Sequence, residues 1–175
     1  SDLFYVGFDI SKPGITLATQ LDIDAFFCVA DLRQLPFADR SFDTVLELFS
    51  PSDYREFNRV LKEDGNLMKV IPNADYLLEL RHSLYGNQDQ HYHYDNSRVL
   101  SLFKQHYPDA KQIPIRYQFN LPHELVTDMI KMTPMSWGKD VHQPTGDELV
   151  NLTSITVDVS LLVAKKVIKG IANSI

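Results

Sequence analysis

Short apolar runs alternate with helically spaced segments over the first seventy residues, and two of those runs stop at a carboxylate. Phe4 to Phe8 ends at Asp9, which predicts a buried strand over 4–9. Ser11 is placed as a helix N-cap, with Pro13 in the first turn, where its missing N–H costs nothing. That helix runs to about Gln20, and Asp22-Ile23-Asp24 makes a turn. Ala25 to Ala30 is a second apolar strand, ending at Asp31, and 32–39 is a loop broken by Pro36. Phe42 to Phe49 predicts a third strand, stopped by Ser50-Pro51-Ser52. Tyr54, Phe57, Val60 and Leu61 mark one face of a helix over 53–61. Lys62-Glu63-Asp64-Gly65 is a turn, and Asn66 to Ile71 a fourth strand ending at Pro72. Strands and helices alternating at this spacing predict a mostly parallel sheet with helices on both faces.

Beyond Pro72 the pattern loosens. Leu77, Leu80 and Leu84 give an apolar side to a helix over 74–85, and a polar, aromatic-rich loop follows over 86–94. Asp95 caps a helix reaching His106; 111–121 is a strand, 122–132 a helix, 133–138 a loop holding the single tryptophan, and 152–167 a long strand. No repeat, low-complexity tract or linker interrupts the 175 residues, so a single domain is expected over 1–175.

Composition narrows the class. Hydrophobic residues make up 44% and charged residues 23%, values ordinary for a globular protein. No apolar run approaches the roughly 20 residues of a membrane helix, so no membrane partner is expected. The lone Cys28 excludes an intrachain disulfide and a multi-cysteine zinc site, and fits a reducing compartment, the cytoplasm. His91 and His93 stand two apart and so do not share a helix face; no metal site is expected. Net charge is −6 with pI about 5.4. Basic residues are scattered, so this segment is not expected to supply most of the affinity for a nucleic-acid backbone.

The chemistry concentrates at the strand ends. In open α/β sheets ligands bind beyond the carboxyl ends of the strands. An ionised carboxylate offers only acceptors, which suits the paired hydroxyls of a ribose at Asp9 and an exocyclic amine at Asp31. The backbone N–H of Leu32 can donate to a ring nitrogen, and Ile10 can cover a base, with Ser11 beside it. Phe49-Ser50-Pro51 closes the third strand next to where a cofactor's reactive end would lie. Each of these residues also suits a turn or a cap; their order and register together favour a nucleoside cofactor site.

Gly7-Phe8-Asp9-Ile10-Ser11-Lys12, Val29-Ala30-Asp31-Leu32-Arg33-Gln34-Leu35-Pro36-Phe37, Ser41-Phe42-Asp43 and Arg59-Val60-Leu61-Lys62-Glu63-Asp64-Gly65 resemble the consecutive motifs of class I S-adenosylmethionine-dependent methyltransferases. Leu48-Phe49-Ser50-Pro51, the segment Tyr76 to Arg81 with Leu84-Tyr85, and Met132-Thr133-Pro134-Met135-Ser136-Trp137 are similar to bacterial 23S ribosomal RNA (guanine-N1-)methyltransferases. The resemblance implies a Rossmann-like fold, S-adenosylmethionine held by Asp9, Ile10, Ser11, Asp31, Leu32 and Phe49, and a reacting end formed by Phe49, Ser50, Pro51 and Trp137. Phe49 and Trp137 would sandwich the target base. That family also carries a cysteine-rich zinc module, a first strand and a glycine-rich loop, none of which this sequence contains. The expectation is therefore a fragment lacking the first strand, which would lie between the strands over 4–9 and 42–49. It would bind the cofactor poorly by itself, and contact 23S rRNA mainly through the absent module. A homodimer is compatible with the chain. A small-molecule methyltransferase of the same fold, favoured by the acidic charge, and a non-catalytic interaction module are the alternatives. No residue stands out as the base that takes the guanine N1 proton; Asp53 is in range but suits a helix cap better.

Overall fold

The computed structural model describes residues 3–85, 94–133 and 152–166. In chain order its elements are β1 (Tyr5–Asp9), α1 (Lys12–Ala18), β2 (Ala25–Val29), β3 (Phe42–Leu48), α2 (Tyr54–Val60), β4 (Leu61–Pro72), α3 (Leu78–Tyr85), α4 (Ser97–His106), β5 (Lys111–Asn120), α5 (Val126–Met132) and β6 (Ser154–Lys165). The strands form two sheets, β1-β2 and β3-β4-β6-β5, with no hydrogen bonding between the two sheets among the described residues. β1 and β2 are parallel and β5 and β6 antiparallel. The chain divides into two compact units, the first holding 3–45, 50–67 and 165–166, the second 46–49, 68–85, 94–133 and 152–164 of the described residues.

In the first unit the parallel pair runs in register from Tyr5↔Ala25 to Asp9↔Val29. Gly7 lies opposite Phe27, and a Cβ there would come within 2.5 Å of the Phe27 ring, so the absent side chain is what lets that ring lie across β1. Ser11 caps α1, its Oγ accepting from the Gly14 N–H at 3.1 Å. Phe37 stands edge-on to both Phe8 and Phe42, at centroid separations of 6.0 and 5.1 Å. The expectation of a buried strand over 4–9 is corrected: Tyr5, and Phe26 and Val29 on β2, are exposed. Among the described residues the sheet they belong to has two strands, so β1 has a hydrogen-bonded neighbour there on one side only.

Arg59 ties α2 to the 35–39 loop. Its guanidinium donates to the carbonyls of Leu35 (2.9 Å) and Phe37 (2.7 Å) and to the carboxylates of Glu56 and Asp39. Glu56 is buried and also accepts from the Leu35 N–H at 2.9 Å. Hydrogen bonds from Arg59 are the main reason its carboxyl stays below the usual glutamate range. Arg59→Ala should therefore lower the melting temperature and speed amide exchange at Leu35; unchanged exchange there would refute the tie.

β4 begins at Leu61, earlier than the sequence predicts, yet the Lys62-Glu63-Asp64-Gly65 chemistry leaves its mark. A Cβ on Gly65 would lie 2.9 Å from the Lys62 carbonyl oxygen. Residues three apart in an extended strand are separated by about 10 Å, so the backbone folds tightly there.

The second unit has its core where α3 meets β6. Leu77, Leu80, Leu84, Leu121, Val126, Leu152 and Ile155 form one buried cluster, with Tyr76 packed against it. α3 starts at Leu78, four residues later than predicted, because 74–77 is held as turns. Asn73 donates its backbone N–H to the Asp158 carbonyl (2.9 Å), the Asp75 N–H goes to the Asp158 carboxylate (3.2 Å), and the Leu77 N–H reaches the Thr156 carbonyl (2.8 Å). Leu77, with φ of 56° and its N–H committed to Thr156, lies in the left-handed region, so a right-handed helix cannot run through it. Asp95 does not occupy the cap position of α4, which is Asn96; its carboxylate accepts from the Ser97 N–H at 2.9 Å.

Candidate cofactor and substrate site

Parallel pairing brings the carboxyl ends of β1 and β2 to one rim. Asp9 is the last residue of β1, opposite Val29, and the Ala30 N–H donates to the Asp9 carbonyl at 3.0 Å. Asp31 follows directly. Asp9 is exposed, and one of its oxygens accepts from the Ser11 N–H at 2.6 Å. A carboxylate has about four acceptor positions, so the other oxygen can still receive hydroxyl donors. Ile10 beside it is 71% exposed, an apolar surface open to a planar ligand.

Asp31 is more engaged. It accepts from the Arg33 backbone N–H at 2.9 Å and from the Arg33 guanidinium at 2.8 Å and 3.2 Å. The side-chain hydrogen bond from Arg33, with the backbone one behind it, holds this carboxyl down to about 2. Asp31 is thus an ionised acceptor at neutral pH. Arg33 is itself solvent-exposed, and exposed pairs of this kind contribute little net stability. An amine donor can therefore exchange for the guanidinium. Leu32, half-buried, places its backbone next to that carboxylate. The donor set fits a nucleoside: acceptors for a diol and for an amine, with an exposed apolar side chain at Ile10.

In the second unit, Phe49 follows β3 directly with φ of 53°, in the left-handed region that a bulky residue rarely enters. Its N–H donates to the Val70 carbonyl at 3.3 Å and the residue is 53% exposed. The ring meets Tyr76 at a centroid distance of 5.2 Å and a tilt of 34°. Sequence reasoning missed Tyr76 as a site residue. Spacing carries no signal for a contact between residues 27 apart that depends on two turns. Burial is the main cause that pushes the Tyr76 hydroxyl above the ordinary tyrosine range, so it stays protonated. Ser50 is half-buried and Pro51 exposed. Asp53 caps α2, its carboxylate accepting from the Glu56 N–H at 3.0 Å. Trp137, expected opposite Phe49, lies outside the described residues, as do His91 and His93.

A family model described as a methyltransferase domain matches residues 3–68. The chain is 38% identical over 160 residues to the Bacillus subtilis (strain 168) protein named "Putative 23S rRNA (guanine-N(1)-)-methyltransferase YxjB", covering 91% of this chain and 56% of that one. It is 28% identical over 160 residues to the 23S rRNA (guanine(748)-N(1))-methyltransferase of Streptomyces fradiae, covering 90% of this chain and 56% of that one. The chain thus spans about half the length of the curated relatives it matches. Among solved structures, it superposes on a SAM-dependent methyltransferase from Thermotoga maritima with a TM-score of 0.51 at 15% identity, over 93% of this chain and 73% of the other. The fold is the Rossmann-like α/β fold of the class I methyltransferases.

Proposed function

We propose, from the premise that this chain is a relative of the 23S rRNA (guanine-N1-)methyltransferases, that the full-length protein methylates N1 of a guanine in a 23S rRNA hairpin. S-adenosylmethionine, when bound, supplies a methyl group on a sulfonium centre. The observation that carries the proposal is the pair of carboxylates at the carboxyl ends of two adjacent parallel strands, Asp9 exposed and Asp31 half-buried.

In this reading Asp9 accepts the ribose hydroxyls, Ile10 covers one face of the adenine, and Ser11 fixes the Asp9 carboxylate through its N–H. Asp31 accepts from the exocyclic amine and the Leu32 N–H donates to a ring nitrogen. Phe49 offers a face to the target guanine, and the family resemblance adds Ser50, Pro51 and Trp137 to the reacting end. Transfer is an in-line displacement, so the work of these residues is to align N1 with the methyl carbon and exclude water. N1 of guanine also loses its proton. Asp53 is committed to capping α2 and is not assigned that task.

Asp9→Asn replaces one acceptor oxygen with a donor that faces the hydroxyls. Cofactor affinity of the full-length protein should fall about ten- to a hundredfold, the effect of losing one hydrogen bond to a charged group. Calorimetric titration with S-adenosylmethionine checks this, and an unchanged dissociation constant would remove Asp9 from the site. The substrate is tested separately. Methylated N1 blocks Watson–Crick pairing, so primer extension on 23S rRNA should stop at one guanine in wild-type cells and read through in a deletion strain. Identical stops in both strains would refute the rRNA assignment.

A further inference from the structure

We infer that Tyr76 is a positioning residue for the target guanine, acting through the ring of Phe49. This rests on the proposed methylation of an RNA guanine. Two of the three non-glycine residues with left-handed backbone among the described residues, Phe49 and Leu77, flank the same aromatic contact. Such conformations cost of order 1–3 kcal/mol each and persist only where surrounding structure over-determines them. Here the surroundings do so. The Leu77 side chain is buried in the core, and its N–H is bonded to the Thr156 carbonyl at 2.8 Å. Tyr76 is pinned on both sides: its N–H donates to the Asn73 carbonyl at 3.2 Å, and its own carbonyl accepts from the Arg81 guanidinium at 2.9 Å. Asn73 is held in turn by Asp158.

A strained backbone thus presents one exposed ring, and a rigidly held second ring supports it from one side. With one face of Phe49 against Tyr76, no base fits between the two. Phe49 is 53% exposed at the carboxyl end of β3, and on the face turned away from Tyr76 a purine extruded from its stack would lie flat. Tyr76 sets the tilt of that platform and touches no substrate itself. The contact is made by the ring, so the hydroxyl is dispensable.

The test uses the full-length protein with 23S rRNA isolated from a strain lacking the modification. Tyr76→Leu keeps an apolar side chain against the core and removes the ring. Its kcat/KM for RNA should fall about tenfold, at the scale of one lost base–aromatic stack. Its KM for S-adenosylmethionine, held by five residues besides Phe49, should change less than its KM for RNA, and Tyr76→Phe should restore most of the loss. The inference fails if Tyr76→Leu matches wild type on RNA, if it weakens cofactor and RNA use equally, or if Tyr76→Phe is as impaired as Tyr76→Leu. Melting temperatures are taken alongside. Should Tyr76→Leu melt below the assay temperature, Tyr76→Met carries the same comparison. Wild-type protein that methylates no 23S rRNA refutes the functional proposal and this inference with it; an active wild type with an equally active Tyr76→Leu refutes this inference alone.

Discussion

Lys69→Met is expected to destabilise the protein by about 3–5 kcal/mol, the usual consequence of leaving one member of a buried ion pair without its partner. Lys69 on β4 pairs with Glu47 on the neighbouring strand β3, and their side chains are only 3% and 2% exposed. Removing the ammonium leaves the Glu47 carboxylate in a site where water cannot solvate it. The pair itself adds much less than its rupture costs, because burying two charges offsets most of their attraction. The double variant Glu47→Leu with Lys69→Met should therefore recover most of the stability lost by Lys69→Met alone. Urea unfolding of the wild type and the two variants checks both statements. A single variant costing under about 1 kcal/mol, or a double variant no better than the single, would refute them. Glu47 lies two residues before Phe49, so the pair also fixes the end of the strand that carries the exposed ring.

Leu80→Ala comes next in size, at about 2–5 kcal/mol. Leu80 is fully buried at the centre of the cluster formed by α3, Leu121, Val126, Leu152 and Ile155. The loss joins the transfer free energy of the removed methyl groups to the cavity they leave, and the value within the range depends on how far the cluster collapses. Because Tyr76 packs on the same cluster, a collapse should also move its ring. Equilibrium unfolding gives the first number. A cost under about 1 kcal/mol would mean that the cluster closes fully around alanine.

Local chemistry made much of this legible in the sequence. The strand-ending carboxylates, the Ser11 and Asp53 caps and the apolar spacing of Leu80 and Leu84 depend on neighbours within four residues, and the structure places these as the pattern predicts, whereas Leu77, expected on the same helix, lies in the turn before it. What failed depends on distant partners. α3 starts late because Asp158 and Thr156, some eighty residues on, take the backbone groups of 73–77. β1 reads as buried because an apolar run reports what a strand would bury, whereas its exposure depends on which strands lie beside it. At the site, the rim of Asp9 and Asp31 follows from two strands pairing in parallel, which the alternation of elements implies. The Phe49–Tyr76 contact follows from two left-handed residues. Neither Phe nor Leu signals that conformation in a sequence; glycine or asparagine would have done so.

A left-handed position filled by phenylalanine sets two selective pressures against each other. Glycine would sit at residue 49 without strain, so thermal ruggedness and ring presentation pull toward different amino acids there. A lineage that no longer needed the ring would be free to drift toward the more comfortable backbone, and keeping an aromatic at that position would record continued use of the site.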